Sequence, residues 1–134
     1  MTTSPMNRIW LEDGVLYAQY YGVITVDLVV SFSQDCVKLL DKHKLALAPI
    51  VLIFSETTDM TKMDIPHISK IVNTPLVKRL SAVIVVGMKF ADKMFIGLAS
   101  NVFLGGRVQT RDSLADGRLL AESCRTETRP ILEQ

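Results

Sequence analysis

The chain is poor in the residues from which metal sites and disulfide frameworks are built. It has two cysteines and two histidines among 134 residues. No CxxC pair or other ligand spacing links Cys36 or Cys124 to His43 or His67. The sequence therefore predicts no metal ion or other cofactor, and reduced, structural thiols are the simplest interpretation of both cysteines.

An excess of either charge is also missing. Fifteen Lys and Arg are dispersed among fourteen Asp and Glu, and the formal net charge is +1. Nucleic-acid binding requires a basic stripe that follows the phosphates. We therefore expect no nucleic-acid partner.

Long apolar runs are absent as well. The longest run, Ala46 to Phe54, is far shorter than the roughly 20 residues of a membrane-spanning helix, and Met1 to Arg8 contains no apolar signal core. The sequence predicts a cytoplasmic protein without a membrane span. Its length fits one domain, and we assign residues 1–7 to a flexible N-terminus, 8–124 to a single α/β domain and 125–134 to a mobile tail.

The first clear structural signal is a β-hairpin. Two apolar and aromatic runs between Arg8 and Gly22 are separated by Asp13-Gly14, a pair that tolerates positive φ at both turn positions. Thr25 or Asp27 then caps a helix. Its apolar positions share one side at 100° per residue: Leu28, Val29, Phe32, Cys36, Leu39 and Leu40.

Two short apolar blocks, Ile50 to Phe54 and Ser81 to Met88, have the pattern of strands that are covered on both faces. The segment between them has helical spacing. Pro66 is allowed only in the first turn of that helix, which makes Asp64 the expected N-cap, and Pro75 limits the helix at its far end.

The rest of the chain continues the alternation of helices and strands. A helix is predicted over Phe90 to Leu104 and a short strand over Arg107 to Arg111, after which Asp112 or Ser113 caps a last helix that reaches about Cys124. A hairpin followed by βα units predicts an α/β domain with a mixed five-stranded sheet.

The predicted helix Phe90 to Leu104 carries more apolar side chains than one sheet face requires. Ile96, Ala99 and Phe103 extend beyond the stripe that would face the core. A helix packed beside its neighbours explains this surplus as well as a partner surface does, although contiguous exposed apolar patches are uncommon in monomers. As a partner surface, the three residues predict a two-fold homodimer or contact with another protein.

A polar loop follows the first buried strand, and it is the candidate ligand or partner loop. Loops at the carboxyl ends of parallel strands commonly bind ligands, but hydroxyl and carboxylate side chains also bond nearby backbone in turns, which is the simpler interpretation. A hydrolytic set of Ser55, His67 and either Asp59 or Asp64 would need an orienting network and an exposed nucleophile. We predict no catalytic residue. The loop residues are Ser55, Thr57, Thr58, Asp59, Thr61 and Asp64.

The order of elements over residues 8–124 resembles the SpoIIAA-like group, the fold of STAS domains and of bacterial anti-sigma factor antagonists. The resemblance lies in four stretches: Trp10-x-x-x-Gly-Val-Leu-Tyr17, Tyr21-Gly-Val-Ile-Thr25, Val51-Leu-Ile-Phe-Ser55 and Val83-Ile-Val-Val-Gly87 before the Phe90 helix. It implies a SpoIIAA-like mixed sheet and a role in protein–protein regulation.

The chain departs from that group at the phosphorylation motif. Antagonists carry Asp-Leu-Ser-Gly followed by Asp-Ser-Ser-Gly, whose second serine receives phosphate. Aligned on Ser55, the first aspartate falls on Ile53 and the acceptor serine on Met63, with Thr61 as the nearest hydroxyl. The resemblance therefore implies a non-enzymatic regulatory or protein-interaction module without the phosphoserine switch. The alternative is a carrier of a small apolar ligand or lipid in a pocket between sheet and helices.

Overall fold

The structure of the chain is a computed structural model that describes residues 7–55, 58–59, 65–87 and 108–125. Strands and helices alternate along these residues, as the sequence predicts. In chain order the elements are β1 (Arg8–Glu12), β2 (Val15–Tyr20), α1 (Val26–Lys42), β3 (Ala48–Phe54), α2 (Ile65–Val72), a 3₁₀ helix (Pro75–Arg79), β4 (Leu80–Val86), β5 (Val108–Arg111) and α3 (Leu114–Ser123).

The strands form one five-stranded mixed sheet in the order β1-β2-β3-β4-β5. β1 is antiparallel to β2, whereas β2 with β3, β3 with β4 and β4 with β5 are parallel pairs. This topology confirms the predicted α/β domain with a hairpin before the βα units. The carboxyl ends of β2, β3 and β4 consequently lie at the same edge of the sheet.

Local signals place the first hairpin and two helix starts. Asp13 and Gly14 have φ values of 52° and 79°, so both turn residues adopt the left-handed conformation that matches the twist of the flanking strands. Of the alternative caps, Thr25 and Ser113 are the N-caps of α1 and α3. Their hydroxyls accept hydrogen bonds from Leu28 N and Asp116 N, each at 3.2 Å, and satisfy donors that have no partner inside the helix.

The start of β3 differs from the prediction. β3 begins at Ala48 rather than Ile50, so Pro49 lies inside the strand. The register with β4 shifts between Ala48 and Pro49, where Leu80 and Ala82 are the successive partners. Proline is tolerated at such a bulge because a regular ladder hydrogen bond is not required there.

Helices cover both faces of the sheet. Cys36 and Leu40 of α1 and Leu76 of the 3₁₀ helix pack on the first face, and Ala121 of α3 packs on the second. Alternating strand residues supply the two cores. The buried strand residues are Leu16, Ala18, Tyr20, Ala48, Ile50, Phe54, Leu80, Val83 and Val85 on the first face and Val15, Tyr17, Val51, Ile84 and Val86 on the second.

α3 approaches the sheet closely because Gly117 faces it. A Cβ added at Gly117 would lie 2.5 Å from Val86 Cγ2 and 3.7 Å from Ile84 Cγ2. Glycine weakens a helix interior by about 1 kcal/mol relative to alanine. Here it permits a helix-to-sheet distance that a larger side chain would increase.

Three predicted segments lie wholly or mostly outside the described residues: the N-terminal segment 1–7, of which only Asn7 is described, the helix Phe90 to Leu104 and the tail beyond Arg125. None of the helices within the described residues has both the length and the apolar character that a membrane crossing requires.

Candidate functional site

Thr58 organises the loop that follows β3. Its side chain is buried, with 1% of the residue exposed. The hydroxyl donates to the Tyr20 carbonyl oxygen at 2.9 Å and accepts from Ser55 N at 2.8 Å. Ser55 Oγ lies 3.2 Å from the same hydroxyl, and Thr58 N donates to the Ser55 carbonyl oxygen at 3.1 Å. One buried hydroxyl thus joins the end of β2 to the end of β3.

Asp59 continues the pairing of these two strands beyond the loop. Asp59 N donates to the Gly22 carbonyl oxygen at 2.8 Å, and Ile24 N donates to the Asp59 carbonyl oxygen at 2.9 Å. Val23 and Asp59 form a parallel β-bridge. Because Thr25 follows directly as the N-cap of α1, these bonds fix the chain segment from which α1 begins.

The structure describes three of the six residues predicted for the candidate loop. It brings Ser55 and Thr58 into hydrogen-bond contact and places Asp59 beside Val23. The other predicted site residues lie outside the described part of the chain: Thr57, Thr61 and Asp64 of the loop, and Ile96, Ala99 and Phe103 of the predicted partner surface.

Two buried titratable side chains lie on the first face of the sheet. The Tyr20 ring contacts those of Phe32 and Phe54, with centroids 5.3 and 5.8 Å apart, and burial raises the pKa of Tyr20 above its ordinary value. Burial, with a further contribution from Asp35, raises the pKa of the Cys36 thiol to about 12. Both groups are neutral at physiological pH, and a protonated thiol is a poor nucleophile and metal ligand.

A small apolar cleft lies between α1 and the 3₁₀ helix. Its volume of about 240 Å³ is below the usual 300–1,000 Å³ of small-molecule pockets. The Ser33 hydroxyl at the cleft donates to the Val29 carbonyl oxygen at 2.8 Å, and the Thr74 hydroxyl donates to that of Ile71 at 2.8 Å. These hydroxyls thus donate to backbone carbonyl oxygens of α1 and α2. The lining residues are Val30, Ser33, Gln34, Val37, Lys38, Thr74 and Pro75.

A cluster that the sequence analysis missed lies on the second face of the sheet. Trp10 and Tyr17 stack with ring centroids 5.2 Å apart and an interplanar angle of 11°. The Arg8 guanidinium lies 4.6 Å from the Trp10 centroid, and that of Arg118 lies 5.0 Å from the Tyr17 centroid. Arg118 also forms an ion pair with Glu12 at 3.2 Å. This arginine–aromatic cluster attaches α3 to the hairpin.

The cluster also changes the environment of the Tyr17 hydroxyl. Burial raises the pKa of Tyr17, and the positive charge of Arg118 acts in the opposite direction. A cation over an aromatic ring contributes about 0.5–1 kcal/mol at an exposed site. The contacts of this cluster therefore stabilise the packing of α3 against the hairpin within the domain.

No group of three or more His, Cys, Asp or Glu that could hold a metal ion occurs among the described residues. No protein-family model matches the chain, and no curated protein matches it. The geometry of the loop and of the sheet therefore provides the basis for a functional proposal.

Proposed function

We propose that the chain is a non-enzymatic regulatory or protein-interaction module with a SpoIIAA-like, STAS-like fold, and that it has no phosphoserine switch. The observation that carries this proposal is the bonding of Thr58. A nucleophile or phosphate acceptor must present an exposed oxygen to its substrate or kinase. The Thr58 hydroxyl is instead buried, and it joins β2 to β3.

The boundaries between strands and helices support the proposed SpoIIAA-like fold. The hairpin precedes parallel βα units, the stretch Tyr21 to Thr25 leads into α1, and β3 ends immediately before Ser55. Gly87 follows β4 with a positive φ of 83°. These are the positions that the resemblance to the SpoIIAA-like group implies.

The absence of a switch is supported by the residues at the motif positions. Ile53, which takes the place of the strand aspartate, packs in the apolar core of the second sheet face. A phosphate on Ser55 would replace the hydroxyl hydrogen, so Ser55 could no longer donate to Thr58 across their 3.2 Å contact. Met63 at the acceptor position has no oxygen that could accept phosphate. Regulation through this loop would therefore depend on binding rather than on phosphoryl transfer.

Phosphopeptide mapping of the native protein tests the missing switch. We expect no stoichiometric phosphate on Ser55 or Thr61, and we expect Ser55→Glu to bind partners as Ser55→Ala does. Stoichiometric phosphate on either residue, together with loss of a partner in the glutamate variant, would restore the antagonist mechanism and contradict the proposal.

Self-association and co-purification test the interaction part. At micromolar chain concentration, we expect Ile96→Glu and Phe103→Glu to abolish a stoichiometric complex that forms through this surface, with a second copy or another protein, because a buried charge in an apolar interface costs several kcal/mol. The matched control is Leu119→Glu on α3, where the leucine is 67% exposed and the change should have no effect. Light scattering and mass spectrometry measure the outcome. Complexes that survive both substitutions would show that this partner surface is wrongly assigned.

A carrier of an apolar ligand is the alternative function. Within the part of the chain that the structure describes, the cleft between α1 and the 3₁₀ helix is small and does not lie between helices and sheet. Native mass spectrometry separates the two functions. A stoichiometric co-purifying lipid would favour the carrier, and its absence together with a protein complex would favour the interaction module.

A further inference from the structure

We propose that the outer edge of β1 pairs with the same edge of a second copy of the chain, across a two-fold axis at Trp10. β1 is at one end of the sheet order, and among the described residues its strand partner is β2 alone. This surface is distinct from the predicted surface on Phe90 to Leu104. The inference does not rest on the proposed function.

The hairpin geometry determines which backbone groups of β1 point outward. In a hairpin with a two-residue turn, the pair that flanks the turn is hydrogen-bonded, and such pairs alternate with non-hydrogen-bonded pairs along the strands. Glu12 and Val15 flank the turn here. Glu12 and Trp10 therefore direct their backbone groups to β2, whereas Ile9 and Leu11 direct theirs away from it.

An antiparallel second copy centred on Trp10 satisfies these outward groups. Ile9 then lies opposite Leu11 of the second copy, which gives a pair of backbone hydrogen bonds on each side of the axis. Trp10 meets Trp10 of the second copy in a non-hydrogen-bonded pair, where side chains approach most closely and aromatic pairs stabilise a sheet. At the three central positions, Ile9, Trp10 and Leu11, apolar residues therefore face apolar residues.

The charges at the two ends of β1 favour this register. Arg8 and Glu12, both exposed, lie opposite Glu12 and Arg8 of the second copy. Opposite charges directly across strands are stabilising, and like charges are destabilising. A slip of two residues in either direction would place Arg8 or Glu12 opposite Trp10 and leave the charges unmatched. Register is thus specified by side-chain pairing, as it is within natural sheets.

Contacts within one copy already order the side chains of Arg8 and Glu12 on the face of the sheet that also carries Trp10. Arg8 lies over the Trp10 ring at 4.6 Å, and its Nε donates to Gln19 Oε1 at 3.2 Å. Glu12 accepts from Trp10 Nε1 at 3.3 Å and from Arg118 at 3.2 Å. Side chains that are ordered before association lose less conformational entropy when the complex forms.

Within β1 itself, three of the devices that protect a sheet edge are missing. Proline, a bulge or an inward-pointing charge commonly prevents edge pairing. The sequence of β1 is RIWLE, without proline, and its register with β2 is continuous. Because the strand has only five residues, we expect a reversible dimer rather than an extended aggregate.

Charge reversal tests the register. Arg8→Glu and Glu12→Arg each place like charges opposite one another at both symmetry-related positions, so each should raise the dimer Kd by about tenfold or more. The double variant restores opposite charges and should return the Kd to within about threefold of wild type. If Arg8 and Glu12 acted only within one copy, the double variant would not recover the wild-type Kd, because the contacts with Gln19, Trp10 and Arg118 stay lost. Sedimentation velocity up to about 1 mM chain measures the Kd.

Amide hydrogen exchange provides a second measurement that does not require a variant. The Ile9 and Leu11 amides should gain protection as the concentration of the chain rises, whereas the Trp10 amide, already directed to β2, should not. Ile96→Glu and Phe103→Glu should leave this gain in protection unchanged. The measurement therefore distinguishes association at the β1 edge from association through the predicted surface on Phe90 to Leu104. A wild-type chain that is monomeric at about 1 mM, a dimer that survives the single reversals, or a double variant as weak as the singles would overturn the inference.

Discussion

Thr58→Val removes one buried hydroxyl and keeps the shape of the side chain. The hydroxyl bonds the Tyr20 carbonyl oxygen at 2.9 Å and Ser55 N at 2.8 Å, in a residue that is 1% exposed. A hydrogen bond contributes about 1 kcal/mol net, and a buried polar group that loses its partner costs about 1–3 kcal/mol. We therefore expect the free energy of unfolding to fall by about 2–4 kcal/mol.

Thr74→Val is the matched control for this substitution. Thr74 is 8% exposed, but its hydroxyl donates to the Ile71 carbonyl oxygen only three residues away, so the bond does not join separate strands. A loss of about 1 kcal/mol or less is expected. Urea titration followed by circular dichroism measures both variants. If Thr58→Val lies within about 0.5 kcal/mol of wild type, or is no more destabilised than Thr74→Val, the hydroxyl does not hold β2 to β3 as argued.

Other substitutions and solution conditions test the core. Gly117→Ala should lower the free energy of unfolding by about 1–3 kcal/mol, because its Cβ would lie 2.5 Å from Val86 Cγ2. Combining it with Val86→Ala should cost less than the sum of the two single changes, and additivity would argue against the contact. Cys124, which is partly exposed, should react with a thiol reagent in the folded protein, whereas Cys36 should react only as the chain unfolds; equal rates would contradict this burial. The pKa of Cys36 is raised from 9.0 to about 12, so the folded state holds this proton more tightly than the unfolded state. The resulting stabilisation, up to about 4 kcal/mol, is complete below about pH 9 and is lost as the pH rises toward 12. Unfolding titrations from pH 8 to 11 should therefore show a shallower alkaline decline for Cys36→Ala, and an unchanged slope would refute the assignment.

The elements could be predicted because each depends on residues near one another in the sequence. Asp13 and Gly14 determine the turn through their positive φ values, and Thr25 and Ser113 cap helices through bonds that span three residues. The start of β3 was predicted wrongly because Pro49 normally marks a strand boundary. Whether a proline ends a strand or occupies a bulge depends on the neighbouring strand, here at Leu80.

The candidate site could be predicted only in part, because its bonds span distant segments. The polar loop was identified as a candidate by its composition, but the partner of Thr58 is the carbonyl of Tyr20, 38 residues away. Arg118 reaches Glu12 across 106 residues. These pairs exist because β2 lies beside β3 and α3 covers the second face. Strand order, which local patterns do not determine, therefore had to be known first.

The polar groups at the carboxyl edge of the sheet differ in their bonding from those at its lateral edge, β1. At the carboxyl edge, Thr58 and Asp59 bond to Tyr20, Gly22 and Ile24, so the described polar groups there stabilise the fold. At the lateral edge, the outward backbone groups of β1 can bond to another strand without displacing any bond of the hairpin. Exchanging bonds to water for bonds to another strand yields only a modest gain per bond. The specificity of an association at this edge must therefore come from side chains, and the arrangement of Arg8, Trp10 and Glu12 makes β1 complementary to itself.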